Sequence, residues 1–263
     1  GLRVVSDDTL CSTPISRYVN IYNCKVDSVW EQGILIQASN VLVENCEVSN
    51  AVLNNRHGND SLSNSFAMGT YLHPACINLW TNIVFRNNKI HNCWGEGILL
   101  IRTENFTIEN NHVYDCWSCY IYVDNSYNGI IRSNWIGSTN DTFNRQYRAD
   151  FYAPGNGIFW ATEGNNYVIN RMVENISIYN NLIVRTNAAF GWFSHIANTF
   201  PNNSYRNINI YNNTVSGTIG ITSFYLDTDI HSNRIAPTNC NFKNNILCKS
   251  YFLSSLQSYF TNS

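Results

Sequence analysis

The sequence predicts an all-β fold, a parallel β-solenoid of roughly eight to ten coils. Two interleaved repeats in the 263-residue chain lead to this prediction. The first is built around an asparagine pair, in the pattern N-apolar-x-apolar-x-N-N-x-apolar. The second is a short apolar strand, as in GILIQ from Gly33 and GILLI from Gly97. Alternation of apolar and polar residues is typical of strands.

The second asparagine of the pair recurs at the spacing of one coil. The step is 23 residues from Asn88 to Asn111, and 23 again from Asn111 to Asn134. Helical repeats need about 33 residues or more, so coils of short strands remain, each ~4.8 Å above the last. The copies that share this position are Asn88, Asn111, Asn134, Asn181, Asn213 and Asn245.

We expect these asparagines to form a ladder along one corner of the solenoid. A corner leaves backbone groups without strand partners, and an asparagine amide can bond the turn and the coils above and below. Asparagine also tolerates the left-handed backbone conformation better than most residues. The ladder therefore indicates a fold and not a function.

The longer intervals between repeats predict insertions, at about residues 49–81, 137–156 and 196–206. We expect one β-helix domain over residues 1–263, as part of a longer or processed chain. Its second repeat starts strands at Gly33, Gly97, Tyr120 and Gly157, and more loosely in FGWFSH from Phe190.

The motifs NFTIENN from Asn105, GEGILL from Gly95 and GIFWATE from Gly157 resemble the right-handed parallel β-helix repeats of the pectate-lyase-like superfamily. The resemblance covers roughly residues 18–247 and implies a right-handed coil. That superfamily includes polysaccharide lyases, glycosidases, epimerases, phage tailspikes and non-catalytic scaffolds. It therefore implies an architecture and leaves the activity open.

Composition excludes two classes of protein. Charged residues make up 13% of the chain and the net charge is −2, which does not fit the clustered basic residues of a nucleic-acid binder. No apolar run approaches the length of a membrane-spanning helix. We expect neither nucleic acid nor a membrane span.

Nine cysteines suggest an oxidising compartment, and two pairs occupy equivalent positions in successive coils. Cys24 lies one coil from Cys46, and Cys93 one coil from Cys116. Stacking would bring each pair within disulfide range, so we predict two disulfides. The alternative is a stack of buried thiols, since a free cysteine packs as a small apolar residue.

Six N-x-S/T sequons suggest N-glycans on an extracellular or cell-surface protein, although their number is no more than composition gives by chance. The last three of the six candidates fall in or beside predicted insertions: Asn105, Asn175, Asn212, Asn59, Asn140 and Asn202.

A column of large side chains is predicted to point outwards from the strands of the second repeat. Six such residues on one face exceed what a soluble monomer usually exposes. The insertions, a sugar chain stacking on the rings, or another protein chain would cover them. The predicted members are Leu35, Leu99, Tyr122, Phe159, Trp192 and Phe224.

Carboxylates on three successive coils are the candidate catalytic groups: Glu96, Asp124 and Glu163. They would bind Ca²⁺, or act as acid and base. Arg145 or Arg148, in the second insertion, would take a sugar carboxylate or abstract a proton. The simpler alternative is that all of these are solvated edge charges in ion pairs.

The sequence leaves three functions open. The leading one is a non-catalytic extracellular scaffold, glycosylated and disulfide-linked, that self-assembles with partner chains in a surface or filament assembly. The second is an enzyme acting on an acidic polysaccharide, as a lyase with calcium or as a hydrolase. Carbohydrate binding without turnover is the third.

Overall fold

A computed structural model of the chain describes residues 1–5, 18–57, 66–71, 76, 78–139, 155–163, 171–193, 204–218, 224–226 and 237–248. Within them, three parallel sheets of eight strands each run along one axis. Each coil gives one strand to each sheet, so the predicted parallel β-helix is confirmed. No helix in these ranges is long and apolar enough to cross a membrane.

The three sheets are named A, B and C in the order in which a coil visits them. Sheet A contains β1 (Leu2–Val5), β4 (Ile34–Gln37), β7 (Phe66–Thr70), β10 (Glu96–Ile101), β13 (Cys119–Asp124), β16 (Asn156–Ala161), β19 (Phe190–Phe193) and β22 (Phe224–Leu226). Sheet B contains β2 (Val19–Tyr22), β5 (Val41–Glu44), β8 (Trp80–Arg86), β11 (Thr103–Glu109), β14 (Tyr127–Arg132), β17 (Val173–Tyr179), β20 (Tyr205–Tyr211) and β23 (Asn241–Lys243). Sheet C contains β3 (Lys25–Asp27), β6 (Glu47–Ser49), β9 (Lys89–His91), β12 (His112–Tyr114), β15 (Trp135–Gly137), β18 (Leu182–Val184), β21 (Thr214–Ser216) and β24 (Ile246–Cys248).

The core lies between the sheets and consists of apolar columns. In sheet C, Ile90 pairs with Val113 and Val113 with Ile136, and all three are fully buried. Each such side chain contributes about 1.5–3 kcal/mol by leaving water. Because side chains alternate along a strand, the opposite residues form columns on the outer faces.

The asparagine pairs divide two tasks at the corner between sheets B and C. The first asparagine turns the chain in the left-handed conformation, with φ of 56° at both Asn87 and Asn180. The second is buried and reaches the next coil: Asn111 Oδ1 accepts from the backbone N of Asn88 at 2.9 Å and from its Nδ2 at 3.1 Å. The same contacts run on through Asn134, Asn181, Asn213 and Asn245.

The two predicted disulfides are absent from the structure, because all four cysteines are free thiols. In the first two coils, cysteine takes the ladder position: Cys46 Sγ accepts from Cys24 N at 3.4 Å, as an asparagine oxygen would. Each thiol then donates to the carbonyl two residues earlier, as Cys93 does to His91 O at 3.2 Å. The alternative of stacked buried thiols matches this arrangement.

One predicted insertion contains a regular strand. Within 49–81, residues Phe66–Thr70 form β7, which lies between β4 and β10 in sheet A. Its sequence FAMGT lacks the Gly-Ile start that marks β4, β10 and β16, which explains why the sequence pattern missed it. The range also contains a 3₁₀ helix over Leu53–His57.

One member of the predicted outward column is misplaced. Trp192 pairs with Trp160 and lies in the core, while the outward residue beside it is Gly191. The backbone of Phe224 pairs with that of Phe190, and the predicted outward direction of its side chain lies outside the described part of the structure. A shift of one residue exchanges the two faces of a strand, and the loose match at FGWF concealed that shift.

Candidate active site

The outer face of sheet A is a second apolar cluster and is buried. Leu35, Leu99, Tyr122 and Phe159 form one column of it, none more than 8% exposed. The column is therefore covered in the folded chain and does not form an exposed patch. We call this surface the A face.

Glu96 lies at the start of the A face, as the first residue of β10. A side chain at the following glycine would point into the core, since a Cβ at Gly97 would come within 2.4 Å of Val113 Cγ1. Glu96 pairs with Phe66, which belongs to the A face. The Gly-Ile start of the strand thus leaves Glu96 on the outer side.

The carboxyl group of Glu96 is buried, and it has no polar partner in the described part of the chain. Burial raises its pKa well above the ordinary value of 4.5, and the charges of Glu163 and Asp124 raise it further. Within the described residues it makes no hydrogen bond or ion pair. Glu96 is therefore held in its protonated form beyond the usual pH range of a glutamic acid.

Asp124 lies at the other end of the A face, as the last residue of β13. Burial and then Glu163 raise its pKa well above 3.8, but three contacts oppose that rise. The backbone N of Glu163 donates to Asp124 Oδ1 at 2.9 Å. The backbone of Asn125 also favours the anion, as does the positive charge of Arg102.

Arg102 is a fully buried cation beside Asp124. Its Nη2 donates to Cys76 O at 2.7 Å, and its backbone N donates to Asp124 O at 3.0 Å. Cys76 is itself disulfide-bonded. Sequence reasoning gave Arg102 no role, although its place directly after a strand of the A face is a visible signal.

Tyr122 and Cys119 lie on the A face between the carboxyl groups. Burial raises the pKa of the Tyr122 hydroxyl well above 10, and Glu163, Asp124 and Glu96 add to the rise. Burial and Glu96 likewise raise the pKa of the Cys119 thiol. Both side chains stay neutral at physiological pH, so Cys119 is no thiolate nucleophile.

The A face thus brings the three predicted carboxyl groups of successive coils into electrostatic contact. Their environments differ: Asp124 has a cation and N–H donors, whereas Glu96 has neither among the described residues. Both pKa values are raised, but only Asp124 has contacts that favour its anion, so the two acids can divide the roles of proton donor and anion. Within the described residues, no set of three or more His, Cys, Asp or Glu is arranged to hold a metal ion.

Several predicted site residues fall elsewhere. Arg145 and Arg148 lie outside the described residues. Of the sequons, Asn105, Asn175 and Asn212 are exposed at left-handed corners, with φ of 55°, 56° and 56°. Asn59, Asn140 and Asn202 also lie outside the described residues. Glycosylation remains a prediction at all six.

Three parallel sheets wound about one core define the chain as a parallel β-helix protein. The family model described as the right handed beta helix region matches residues 12–204, well over half of the sequence. The chain belongs to this family, which confirms the right-handed coil. No curated protein matches the sequence.

Solved structures are similar to the chain in fold. The Dettilon tailspike protein is 14% identical, with a TM-score of 0.48 over 83% of this chain and 42% of its own. A tailspike protein of the E. coli bacteriophage HK620, in complex with a pentasaccharide, is 9% identical, with a TM-score of 0.48 over 87% and 44%. The surface adhesin PfbA of Streptococcus pneumoniae is 11% identical, with a TM-score of 0.39 over 87% and 62%. The chain spans less than half the length of both tailspike proteins.

Proposed function

We propose that the chain is a polysaccharide-cleaving enzyme of the hydrolase type, with the A face as its active site. The observation that carries this proposal is the carboxyl group of Glu96, which is buried, protonated and without a polar partner among the described residues. Such a group costs stability, because the fold leaves its hydrogen-bonding capacity unused. A carboxyl group with a raised pKa is also what acid catalysis needs near neutral pH.

The proposed reaction gives Glu96 and Asp124 the roles that their surroundings favour. Glu96 donates its proton to the glycosidic oxygen as the carbon–oxygen bond breaks. Asp124, whose anion Arg102 and the backbone N of Glu163 stabilise, accepts a proton from the water that adds to the sugar carbon. Two carboxyl groups in these roles stand about 6.5–9.5 Å apart in inverting glycosidases, which leaves room for the water.

Hydrolysis fits the A face better than elimination does. A lyase abstracts a proton beside the sugar carboxylate, and so needs a group that is unprotonated at working pH. Glu96, held in its protonated form, fits the acid that hydrolysis requires, whereas Arg145 and Arg148, the bases predicted for elimination, lie outside the described residues. The predicted role of Ca²⁺ belongs to the lyase alternative and stays a prediction with it.

The test is cleavage of a panel of uronic-acid and neutral polysaccharides, followed as new reducing ends and as unsaturated ends. We expect reducing ends alone, and a loss of 10²- to 10⁴-fold in Glu96→Gln. Glu44→Gln is the matched control, since Glu44 pairs with Arg86 on sheet B. Unsaturated ends would show a lyase, and full activity in Glu96→Gln would refute the assignment.

The scaffold that the sequence favoured remains a second candidate. Burial of the A face removes one reason for it, but the first coil supplies another. Tyr18 is 87% exposed and Trp30 67% exposed beside sheet edges that, among the described strands, pair on one side only. A head-to-tail assembly would cover them. Light scattering of the intact protein tests this, since a monodisperse monomer contradicts self-assembly.

An extracellular or cell-surface location is part of the same proposal. An enzyme for polysaccharides, or a surface scaffold, meets its partners outside the cell. Glycans on the exposed Asn105, Asn175 or Asn212 would support that location. Mass measurement of the protein from its source, before and after removal of N-glycans, provides the check.

A further inference from the structure

Cys76 is disulfide-bonded, whereas every other cysteine of the described residues is a free thiol. It lies in the connection between β7 and β8 and is 1% exposed. The stacked thiols of successive coils are held without a disulfide. The bond at Cys76 therefore serves this connection and is not a feature of the repeat.

The backbone carbonyl of Cys76 accepts a hydrogen bond from a buried cation. Arg102 Nη2 lies 2.7 Å from Cys76 O, and the arginine is fully buried. A buried guanidinium needs acceptors in place of the water that it has lost. Without this carbonyl we expect the Arg102 side chain to turn towards water and away from Asp124.

Hydrogen bonds fix both ends of the connection that carries Cys76. At one end, Thr70 Oγ1 accepts from Ile101 N at 3.1 Å. At the other end, Trp80 Nε1 donates to Tyr71 O at 3.0 Å. Neither bond reaches residue 76, in the middle of the connection. A disulfide there restricts the chain and keeps the carbonyl over the arginine.

The position of Arg102 affects Asp124, the proposed proton acceptor. Arg102 directly follows Ile101, which pairs with Asp124 on the next coil, and Arg102 N donates to Asp124 O at 3.0 Å. The charge of Arg102 favours the Asp124 anion, against the burial that raises the pKa of this carboxyl group. The disulfide is thus linked to the acid group through one carbonyl and one guanidinium.

We propose that Cys76 is a positioning residue of the A face, whose disulfide holds the carbonyl that places Arg102 beside Asp124. This proposal rests on the proposed function, because it takes Asp124 as the proton acceptor of cleavage. The site then reaches its working form only after the disulfide has formed. The chain would stay inactive in a reducing compartment and become active in an oxidising one, where disulfides persist.

The disulfide forms by exchange with an oxidised dithiol, such as the disulfide of a thiol oxidoreductase. Cys76 and its partner cysteine lose two hydrogen atoms, with their electrons, as the sulfur–sulfur bond forms. The disulfide of the oxidant takes them up and becomes two thiols. Because Cys76 is 1% exposed, the finished bond is shielded from reductants, so this activation runs in one direction.

The experiment measures the pKa of Asp124 by NMR of its side-chain carboxyl carbon, with Asp124→Asn to assign the signal. In the intact chain carrying Cys76→Ala, this pKa should rise by about 1 or more, since a neighbouring arginine lowers the pKa of an aspartate by about 1–3. Arg102→Met should raise it equally. Adding Cys76→Ala to Arg102→Met should then change nothing further, because both act through one contact.

Cys240→Ala is the matched control. Cys240 is a free thiol that is also 1% exposed, so its loss tests the removal of a buried cysteine without a disulfide. The pKa of Asp124 should not move in this variant. A second preparation needs no substitution: the unaltered chain is folded with a dithiol present, and thiol labelling after unfolding gives the reduced fraction. This fraction should show the raised pKa.

An unchanged pKa of Asp124 in Cys76→Ala, or in the reduced chain, overturns the proposal. A Cys76→Ala chain that does not fold also overturns it, because the disulfide would then serve the fold alone. Loss of cleavage in Glu96→Gln, with the pKa of Asp124 independent of Cys76, would leave the enzyme and remove only the role of the disulfide. A pKa that depends on Cys76, in a chain that cleaves no polysaccharide, would do the opposite.

Discussion

The asparagine ladder and the A face both bury polar side chains, but they treat them in opposite ways. In the ladder, Asn181 gives and accepts bonds with the coils on both sides. On the A face, Glu96 is as enclosed and has no polar partner in the described residues. A satisfied buried amide stabilises the fold, whereas an unsatisfied buried acid weakens it. The ladder is therefore the part that the chain needs in order to fold, and the A face is the part that it keeps for a ligand.

The largest effect should come from breaking the ladder. Asn181→Ala leaves the backbone N and Nδ2 of Asn134 without their acceptor, and Ile131 O without its donor. We expect the free energy of unfolding to fall by about 2–4 kcal/mol, measured by urea denaturation.

The preceding residue provides the matched control for this prediction. Asn180 is exposed at the left-handed corner with φ of 56°, a conformation that glycine adopts without strain. Asn180→Gly should therefore change stability by less than about 0.5 kcal/mol. Equal losses of stability in both variants would show that the buried hydrogen bonds of Asn181 contribute no more to stability than the turn at Asn180 does.

A substitution of Glu96 on the A face should raise the stability of the fold, whereas a substitution in the ladder lowers it. Glu96→Gln should stabilise the fold above pH 4.5 by on the order of 1 kcal/mol, because the amide has no proton to lose. In the unfolded chain Glu96 ionises near 4.5, while the folded protein retains the proton to higher pH. Stability of the unaltered chain thus falls as pH rises through this interval.

Thermal unfolding of the unaltered chain and of Glu96→Gln at a series of pH values shows whether the substitution raises or lowers stability. The difference between them should disappear below pH 4.5, where Glu96 is protonated in both states. A Glu96→Gln variant that is less stable at neutral pH would mean that the carboxylate has a partner, and the contrast with the ladder would fail.

The smallest effect is expected at Glu47, a partly buried surface carboxylate that does have partners. His91, Lys89 and Lys25 hold the pKa of Glu47 at about 2. Its stabilisation is present above the ordinary value of 4.5 and is lost as pH falls through about 2. Glu47→Gln should cost at most ~1 kcal/mol at neutral pH, because exposed ion pairs are weak. Salt should reduce that cost in the same unfolding experiment.

The repeats predicted the fold, and the parts that they missed have physical causes. Asn111 and Asn134 mark the corner in the sequence, because the backbone at this corner lacks strand partners in every coil. The register at Trp192 failed because one residue decides which face a side chain takes, and FGWF is apolar on both faces. The strand at Phe66–Thr70 was missed because FAMGT lacks the Gly-Ile start that marks β4, β10 and β16.

The candidate site could be predicted in part. Glu96, Asp124 and Glu163 were placed on successive coils by the strand motifs, and their side chains do influence one another. The sequence could not show that Glu96 lacks a partner while Arg102 stands beside Asp124, since partners come from other coils.

The most direct test of this account is the titration of Glu96 in the folded protein, followed by NMR of its side-chain carboxyl carbon with Glu96→Gln to assign the signal. The account predicts that Glu96 stays protonated well above pH 4.5 and that its pKa moves down when Glu163 is replaced by Gln. A carboxyl group that titrates near 4.5, and does so equally with and without Glu163, would contradict the account.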